Sequence, residues 1–309
     1  MNAFVLAAGF GTRLRPLTET TPKPLVPVLN VPSICYTLFL LSEAGFRKAI
    51  INIHHHPDSL LRYFDEHDFG NLEIVLSEET TILGTGGGLK KCEHLLDDDD
   101  FLLINSDIIS DIDLRALVER HRSSGLGGTL ALHETPLAAE IGQVGLRDGL
   151  VLDFRNMRGT GLLSSCIYTG TAVLSPHIFR YLSEEFSSIV DTGFTGLIDH
   201  VGLGSYEHRG MWQDIGTIQN FYRANLDGNL CILQLGERMN ARIGMAPHLI
   251  SPQADISPDA RVTQSVVGER CSIASGAVVE HSVLLPGTVI ERGSVIRNTI
   301  AGPGWTVPA

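Results

Sequence analysis

From residue 246 onward, small apolar residues recur at steps of five or six, with glycine, serine, proline and alanine between them. The recurring positions are Ile256, Val262, Val267, Ile273, Val279, Leu285, Ile290 and Ile296. A period of six fits one face of a three-sided parallel β-helix, whose tight corners require small residues. We therefore predict a left-handed β-helix over 246–309. The alternative is an irregular glycine-rich tail.

The first half of the chain alternates between strand-like and helix-like patterns. Strands are predicted at 4–8, 49–53, 72–77 and 101–107, with helices at 32–45, 57–67, 89–96 and 113–125 between or after them. This order implies βαβ crossovers, and hence an α/β, Rossmann-like domain with a mostly parallel sheet. We assign it to 1–235, with a bridging helical segment at 218–235. Ligands of such sheets bind at the carboxyl ends of the strands, where Gly9, His54, Glu78 and Asp107 fall.

The charge and cysteine content exclude several classes of protein. A formal net charge of −12 over 309 residues disfavours non-specific binding to nucleic acid or anionic membranes. The five cysteines are scattered without a CxxC pair, which is typical of reduced thiols in a cytoplasmic protein. No apolar run reaches the roughly 18 residues of a membrane span, and the N-terminus lacks a basic leader. We expect a cytoplasmic protein with a local phosphate site.

The segment FVLAAGFGTRLRPLTETTPKPL, at 4–25, places cations beside a glycine turn after the first strand. A glycine turn lets backbone N–H groups approach an anion, and Arg13 and Lys23 supply positive charge. The segment is not a Walker A loop, and Leu14 stands where the dinucleotide fingerprint needs its third glycine. The residues alone leave two interpretations, a phosphate site and an ordinary loop with surface cations.

The longer stretch LAAGFGTRLRPLTETTPKPLVPV resembles the signature of the sugar-1-phosphate nucleotidyltransferases, LAAGxGTRLxPLT followed by PKPL. LGTGGG at 83–88, INSD at 104–107 and MWQDIGT at 211–217 follow in that family's order and spacing. The hexapeptide tail resembles that of a large branch of the family. The resemblance covers essentially the whole chain, and it implies a GT-A-like fold and a transferase that uses an NTP, a sugar 1-phosphate and Mg²⁺.

The resemblance also implies roles for individual residues. Nucleotide contacts would come from Leu6, Ala7, Ala8, Gly9, Gly11, Thr12, Arg13, Gly84, Thr85 and Gly86. Arg13, Lys23 and Asp107 would be catalytic, and Asp107 and Asp214 would hold Mg²⁺. The sugar phosphate would be bordered by Asn105, Arg155, Arg158, Tyr168, Thr169, Gly170 and Trp212. Two anionic reactants need charge neutralisation and positioning rather than a nucleophilic side chain, and we identify no such nucleophile.

One departure from the family concerns the phosphate of the sugar. Many members carry an acidic-Lys-Pro motif whose lysine contacts this phosphate, whereas LVLDFRNMRG stands here at 150–159. Met157 falls where the lysine would be, so Arg155 or Arg158 would substitute. LGTGGG resembles the motif of guanylyl-transferring members that act on mannose or heptose phosphates, and equally that of a uridylyl-transferring branch that acts on N-acetylmuramate phosphate. This resemblance implies GTP with a mannose- or heptose-type phosphate first, with UTP next. A catalytically silent, ligand-sensing subunit and a transferase for a non-sugar phosphate remain as alternatives.

Two further features receive structural interpretations. The three histidines at 54–56 follow a strand and precede Pro57, which favours a sheet-edge loop over a metal site. An exposed β-helix end and flank are surfaces that proteins usually cover, so we predict a homo-oligomer assembled partly through residues after 246. Trp305 would either cap the last coil or pack on a neighbouring subunit.

Overall fold

The computed structural model describes residues 1–308, which divide into two compact units. The first, called here the sheet unit, comprises Met1–Phe10 and Thr37–Trp212. The second, called the stack unit, comprises Gly11–Tyr36 and the described residues from Gln213 onward. The sequence-based domain division, 1–235 and 246–309, stays a prediction.

Strands and helices alternate through the first two thirds of the chain. The strands are β1 Ala3–Leu6, β2 Pro27–Val28, β3 Val31–Pro32, β4 Lys48–Ile53, β5 Glu73–Glu78, β6 Phe101–Asn105, β7 Ile108–Ser110, β8 Gly128–Glu134, β9 Val144–Arg147, β10 Leu150–Phe154, β11 Cys166–Leu174, β12 Leu203–His208 and β13 Trp212–Asp214. The helices are α1 Ser33–Ala44, α2 Pro57–Glu66, α3 Gly84–Lys91, α4 Leu114–Ser124, α5 Ala138–Ile141, α6 Thr195–His200, α7 Ile218–Leu226, α8 Asn229–Leu233 and α9 Gly236–Ile243.

The sheet unit is built on a nine-stranded sheet with the order β5-β4-β1-β6-β11-β8-β12-β10-β9. The first four strands in this order are all parallel, as the alternating sequence pattern predicts. β11 then runs antiparallel between β6 and β8, and β10 is antiparallel to both of its neighbours. In the parallel part, Leu6 is registered with Asn52 on one side and Asn105 on the other, so three strands end level.

A buried apolar core supports the parallel strands. Phe4 is registered with Ile50 and Leu103, and all three side chains are fully buried. Phe101 stacks on Phe179 at 5.4 Å between ring centroids. Each such side chain contributes about 1.5–3 kcal/mol through burial, so the sheet gives the strand ends a rigid support.

Two helical predictions need correction. The glycine stretch at 84–88 belongs to helix α3, Gly84–Lys91, rather than to a loop before it. Of the helix predicted at 89–96, the first three residues complete α3, and only a short 3₁₀ turn at Glu93–Leu95 follows. The segment predicted as one bridging helix over 218–235 is broken at Gly228 between α7 and α8, and α9 follows from Gly236. Glycine favours such interruptions because it loses more backbone freedom in a helix than any other residue.

The C-terminal part of the stack unit is rich in short strands. These are β14 Asp255–Ile256, β15 Arg261–Thr263, β16 Val266–Val267, β17 Ser272–Ile273, β18 Val278–Glu280, β19 Val283–Leu284, β20 Val289–Ile290, β21 Val295–Arg297, β22 Thr299–Gly302 and β23 Trp305–Pro308. Parallel pairing joins them in three rows, β14-β17-β20, β15-β18-β21 and β16-β19-β22. Corresponding residues, such as Ser265 and Ser282, are 17 positions apart.

The repeat register corrects one predicted position. Ile256, Ile273 and Ile290 align in one row, as the sequence pattern predicts. In the third row, however, Val267 aligns with Leu284 and not with Leu285. The shorter step falls at the same corner of every 17-residue turn, so Leu284 takes the buried position equivalent to Val267.

The last described strand closes the third row. β23 turns back and pairs antiparallel with β22, which places Trp305 opposite Gly302. The Trp305 ring lies directly over the Cα of Gly302, in space that a side chain at 302 would need. Trp305 therefore packs within its own hairpin, and its role as a cap or as a contact with a neighbouring subunit stays a prediction.

The segment Gly11–Tyr36 is tied to the rest of the stack unit by specific hydrogen bonds. The Leu29 amide donates to Asn225 Oδ1 at 2.8 Å, in a buried position. Asn30 Nδ2 donates to the carbonyl oxygens of His248, at 2.9 Å, and Val267, at 3.1 Å. These bonds fix the segment that carries the glycine–arginine signature. Separately, none of the helices within residues 1–308 has the length and apolarity required to cross a membrane.

Candidate active site

The predicted nucleotide residues of β1 lie where the parallel strands end. Leu6 is the last residue of the strand, and the Ala7 amide donates to Asn52 Oδ1 at 2.8 Å. Ala8 is buried, while Gly9 is exposed and has open space beside its Cα within 4 Å. The backbone thus emerges from a fixed strand end into an accessible glycine turn.

Asn52 continues this contact into a buried polar network. Its Nδ2 donates to Glu79 Oε1 at 2.7 Å, and Glu79 Oε2 accepts from the Leu83 amide at 2.8 Å. Asn52 and Glu79 are each only 2% exposed. Sequence reasoning named Glu78, which is exposed, and missed both residues. The available signal was a polar residue inside the otherwise apolar strand AIINI.

The glycines of LGTGGG pack against the segment Glu185–Ile189 of the same unit. The Gly86 amide donates to the Ser187 carbonyl at 2.9 Å, and the Ser187 amide donates to the Leu83 carbonyl at 3.0 Å. A Cβ on Gly84 would lie 2.5 Å from the Ser187 carbonyl oxygen, and one on Gly86 would overlap Ser187 Oγ. Thr85 Oγ1 accepts from the Ile189 amide at 2.8 Å. Packing thus requires glycine at two of the three positions predicted to line the base pocket.

The YTG sequence at 168–170 forms a bulge in β11. Its pairing with β8 passes from Tyr168–Leu132 to Ala172–Leu130, so β11 has extra residues between these pairs. Gly170 has φ of 84°, and a Cβ there would lie 2.7 Å from Asn105 Nδ2. The bulge therefore brings Gly170 against Asn105. Bulges are common beside active sites, where they redirect backbone and side-chain groups.

Thr169 and Trp212 are also joined, whereas the hydroxyl of Tyr168 faces the apolar core. Trp212 Nε1 donates to the Thr169 carbonyl at 3.0 Å. The Tyr168 hydroxyl is buried without a hydrogen-bond partner among the described residues, and its ring lies edge-on to Phe194 at 5.4 Å. Burial raises the pKa of Tyr168 well above its ordinary value. A sugar contact by Tyr168 would thus involve its ring or backbone.

Asp107 is half-buried just beyond β6. The preceding residue, Ser106, donates to the Leu6 carbonyl twice, from its amide at 3.1 Å and from its hydroxyl at 2.7 Å. These two bonds anchor the backbone that leads into Asp107. The carboxylate therefore starts from a fixed position at the strand end.

The signature segment in the stack unit folds into a tight turn around Gly11. Gly11 has φ of 65°, and its carbonyl accepts from the Leu14 amide at 2.9 Å and from Thr18 Oγ1 at 2.8 Å. A Cβ at this position would lie 2.8 Å from Thr18 Cγ2 and 3.1 Å from Lys23 Cβ. Glycine is required here, and the turn places Lys23 beside Gly11.

The predicted residues Thr12 and Arg13 occupy a 3₁₀ turn, Thr12–Leu14, in which Leu14 is buried and Arg13 is exposed. Arg13 and Asp214 both border Gly216. A Cβ on Gly216 would lie 2.8 Å from Asp214 Oδ1 and 3.1 Å from Arg13 Nη2.

Asp214 is oriented by its own loop. Its Oδ1 accepts from the Gly216 amide at 2.8 Å, and its Oδ2 accepts from Asn220 Nδ2 at 3.1 Å. The structure thus brings four predicted residues of the stack unit into one region, Gly11, Arg13, Lys23 and Asp214.

Both arginines proposed to replace the family lysine have other partners. Arg158 forms an ion pair with Asp199, and this hydrogen-bonded contact raises the pKa of Arg158 and lowers the pKa of Asp199. Arg155, at φ of 52°, donates from Nη2 to the Ile141 carbonyl at 3.2 Å. Met157 is 56% exposed.

The three histidines at 54–56 lie in the loop between β4 and α2. His54 Nδ1 lies 2.7 Å from the Glu79 carbonyl, so this nitrogen carries the proton, and the His54 and His55 rings contact Phe10. Within residues 1–308, no three or more His, Cys, Asp or Glu side chains form a ready metal cage. Mg²⁺ bound with a nucleotide does not need one, since one or two carboxylates and the phosphates suffice. Asp214 accepts two hydrogen bonds, and each of its carboxylate oxygens can still bind a metal ion. It therefore fits a Mg²⁺ site completed by nucleotide phosphates.

Two known family models together match almost the whole chain. The nucleotidyl transferase family model matches residues 2–229, and a model described as the GMPPB C-terminal domain matches 245–308. The mannose-1-phosphate guanyltransferase of Emericella nidulans is 30% identical over 272 residues, covering 85% of this chain and 73% of the relative. The UTP–glucose-1-phosphate uridylyltransferase of Synechocystis sp. is 29% identical over 328 residues, covering 92% of this chain and 82% of the relative.

Solved structures show the same fold. HddC from Yersinia pseudotuberculosis, solved in complex with GMP-PN, aligns with a TM-score of 0.62 at 22% identity, over 74% of this chain and 99% of that one. The chain belongs to the nucleotidyl transferase family and is a sugar-1-phosphate nucleotidyltransferase.

Proposed function

We propose that the chain makes an NDP-sugar and pyrophosphate from an NTP and a sugar 1-phosphate, with Mg²⁺ as cofactor. GTP with a mannose- or heptose-type phosphate is the favoured pair, and UTP is the next candidate nucleotide. The relatives named as mannose-1-phosphate guanyltransferases support the first pair, and the uridylyltransferase relative supports the second. One observation carries the proposal. The turn at Gly11 brings Lys23 close to that glycine, and Arg13 and Asp214 lie together beside Gly216.

The reaction joins two anions by in-line attack of a phosphate oxygen on the α-phosphorus. Backbone N–H groups from Ala8 to Thr12 and the Arg13 guanidinium would hold the triphosphate, and the Lys23 ammonium would approach the phosphorus under attack. These groups stabilise the charge that develops on the leaving pyrophosphate, and they do so without reorganising during the step. Mg²⁺ bound by Asp107 and Asp214 would neutralise further charge on the phosphate oxygens.

A matrix of GTP, UTP, dTTP, CTP and ATP against several sugar 1-phosphates, with and without EDTA, tests this proposal. Pyrophosphate release is the measurement. We expect one nucleotide and one sugar class to dominate, with turnover lost on chelation. Phosphocholine in the same matrix tests the non-sugar alternative. Turnover that survives EDTA would remove Mg²⁺ from the proposal.

One observation favours a second candidate, a silent ligand-sensing subunit on the same fold. Arg155 and Arg158, the two possible replacements for the family lysine, both have partners within the sheet unit. Such a subunit would bind an NDP-sugar, detected by calorimetry, and release no pyrophosphate from any pair in the matrix.

For the C-terminal strands we propose the left-handed β-helix and the homo-oligomer expected from the sequence. The three parallel rows with a 17-residue interval support three faces of one coil. Light scattering on the full chain and on a version truncated after residue 245 tests assembly. A full chain that is monomeric at micromolar concentration would refute it.

A further inference from the structure

The buried pair Asn52–Glu79 connects two backbone segments that the proposed function assigns to the nucleotide. At one end the Ala7 amide donates to Asn52, and at the other end the Leu83 amide donates to Glu79. Between them Asn52 donates to Glu79 at 2.7 Å. A chain of three hydrogen bonds thus joins the end of β1 to the residue that precedes Gly84.

The chemistry of these donors dictates the side chains between them. Both ends of the chain are backbone N–H groups, which can only donate. Asn52 accepts from the Ala7 amide with its oxygen and donates with its NH₂ group. The residue at position 79 must therefore accept both from Asn52 and from the Leu83 amide. A carboxylate does this, whereas glutamine could accept at one atom only. With glutamine at position 79, a rotated Asn52 amide could accept from the glutamine NH₂ group, but its own NH₂ group would then face the Ala7 N–H, and two donors would meet there.

The surroundings reserve space for this pair. A Cβ on Gly88 would lie 2.5 Å from Glu79 Oε1 and 2.8 Å from Asn52 Nδ2. The last glycine of LGTGGG therefore makes room for the pair. Burying a carboxylate is costly unless hydrogen bonds satisfy it, which here the two donors provide.

We infer that Asn52 and Glu79 are positioning residues, which hold the Ala7–Gly9 and Leu83–Gly86 backbone in register for the nucleotide. This inference rests on the proposed function. Glu79 acts through the backbone that it orients and does not itself touch the base. The pair should therefore set the affinity for nucleotide and leave the affinity for the sugar phosphate unchanged.

A polarity exchange tests the inference with four proteins, the wild type, Glu79→Gln, Asn52→Asp and the double variant. In the double variant, the carboxylate introduced at position 52 accepts from the Ala7 amide and from the side-chain NH₂ introduced at position 79. The side-chain oxygen at position 79 then accepts from the Leu83 amide, so every donor is again satisfied. Each single variant disrupts a charged hydrogen bond and should raise the Kd and KM for GTP or UTP about 10- to 100-fold. The double variant should recover to within about threefold of wild type.

The outcomes separate the possible roles. Recovery of nucleotide affinity and base preference in the double variant supports positioning, and recovered melting temperature confirms that the exchange restores the fold. A double variant as weak as Glu79→Gln, or with altered base preference, would mean that the carboxylate contacts the base and would overturn the inference. Equal rises in KM for both substrates would also overturn it, by indicating a general structural role.

The nucleotide titration keeps this test separate from that of the reaction. If the wild type binds nucleotide but releases no pyrophosphate, the proposed transferase fails while the Kd values of the four proteins still decide the role of the pair. A wild type that binds none of the five nucleotides GTP, UTP, dTTP, CTP and ATP would overturn both.

Discussion

Two buried polar contacts, one in each unit, differ in whether they recur along the chain. In the stack unit, Ser265 and Ser282 repeat one contact, because each hydroxyl donates to a carbonyl two residues earlier and accepts an amide 17 residues later. In the sheet unit, the Asn52–Glu79 pair has no such copy 17 residues away, and its contacts reach backbone segments distant in sequence. A polar contact that recurs with the repeat supports the architecture, whereas we infer that the unique contact at the strand ends supports the proposed nucleotide site.

If the site residues carry the chemistry and the repeat carries only the architecture, the largest effect on turnover should come from the two aspartates proposed to hold Mg²⁺. Asp107→Asn or Asp214→Asn keeps the side-chain shape and removes charge, so kcat should fall about 10³-fold, equivalent to about 4 kcal/mol. The melting temperature should change little for Asp107→Asn, whereas Asp214→Asn also turns an NH₂ group toward one of its two donors and should lower it modestly. Steady-state pyrophosphate release at limiting Mg²⁺ measures this, with Glu78→Gln and Asp227→Asn as controls. Near-normal turnover in both aspartate variants would exclude the two-aspartate metal site.

The next effect separates two neighbouring arginines. Arg13 and Arg15 are both exposed and flank buried Leu14, yet only Arg13 borders Gly216 together with Asp214. Arg13→Ala should lower kcat/KM for the NTP by about 10²-fold, through loss of a preorganised charge worth about 2–4 kcal/mol. Lys23→Ala should do the same, while Arg15→Ala should stay within about twofold. Equal values for the Arg13 and Arg15 variants would remove Arg13 from the site.

The sequence alone predicts features that are encoded by neighbouring residues better than features that depend on residues far apart in the chain. The signature at 6–28 and the repeat after 246 are local, so sequence predicts both the Gly11 turn and the parallel rows. Leu285 was misplaced because Leu284 and Leu285 are both apolar, and only strand pairing selects one. The Asn52–Glu79 pair escaped prediction because its contacts join residues 45 and 27 positions apart.

In the strand rows after residue 250, which hold none of the predicted site residues, core substitutions should lower stability and leave the chemistry unchanged. Ile290 is 4% exposed, whereas its neighbour Val289 is 67% exposed. Ile290→Ala should lower the free energy of unfolding by about 2–4 kcal/mol, and Val289→Ala by less than about 0.5 kcal/mol. Urea denaturation gives both values. A kcat for folded Ile290→Ala far below wild type would mean that the strand rows contribute to the chemistry.

A smaller change in KM is expected for the arginines beside Met157, which stands where many family members have a lysine that contacts the sugar phosphate. If an arginine holds the sugar phosphate, Arg155→Ala or Arg158→Ala should raise KM for that substrate about 10-fold and leave KM for NTP unchanged. Asp199→Asn, which frees Arg158 from its ion pair, is the matched control. Equal changes in both KM values, or none, would mean that the phosphate is held elsewhere.

The smallest effect concerns Asn30, which links the signature segment to the strand rows of the stack unit. Asn30 has φ of 66°, so Asn30→Gly keeps the backbone conformation and removes the bonds to His248 and Val267. Two such bonds contribute about 1–2 kcal/mol together, and the free energy of unfolding should fall by that amount. Asn298→Gly is the control, since Asn298 has φ of 47° and is exposed.

The kinetic effect of Asn30→Gly decides whether the strand rows support chemistry. Because Arg13 and Lys23 lie in a turn with its own hydrogen bonds around Gly11, KM for NTP should rise no more than about twofold. A tenfold rise at unchanged stability would mean that the strand rows set the geometry of the signature turn. The truncation after residue 245, which removes both partners of Asn30, should then abolish nucleotide binding, whereas we expect it to leave measurable transferase activity.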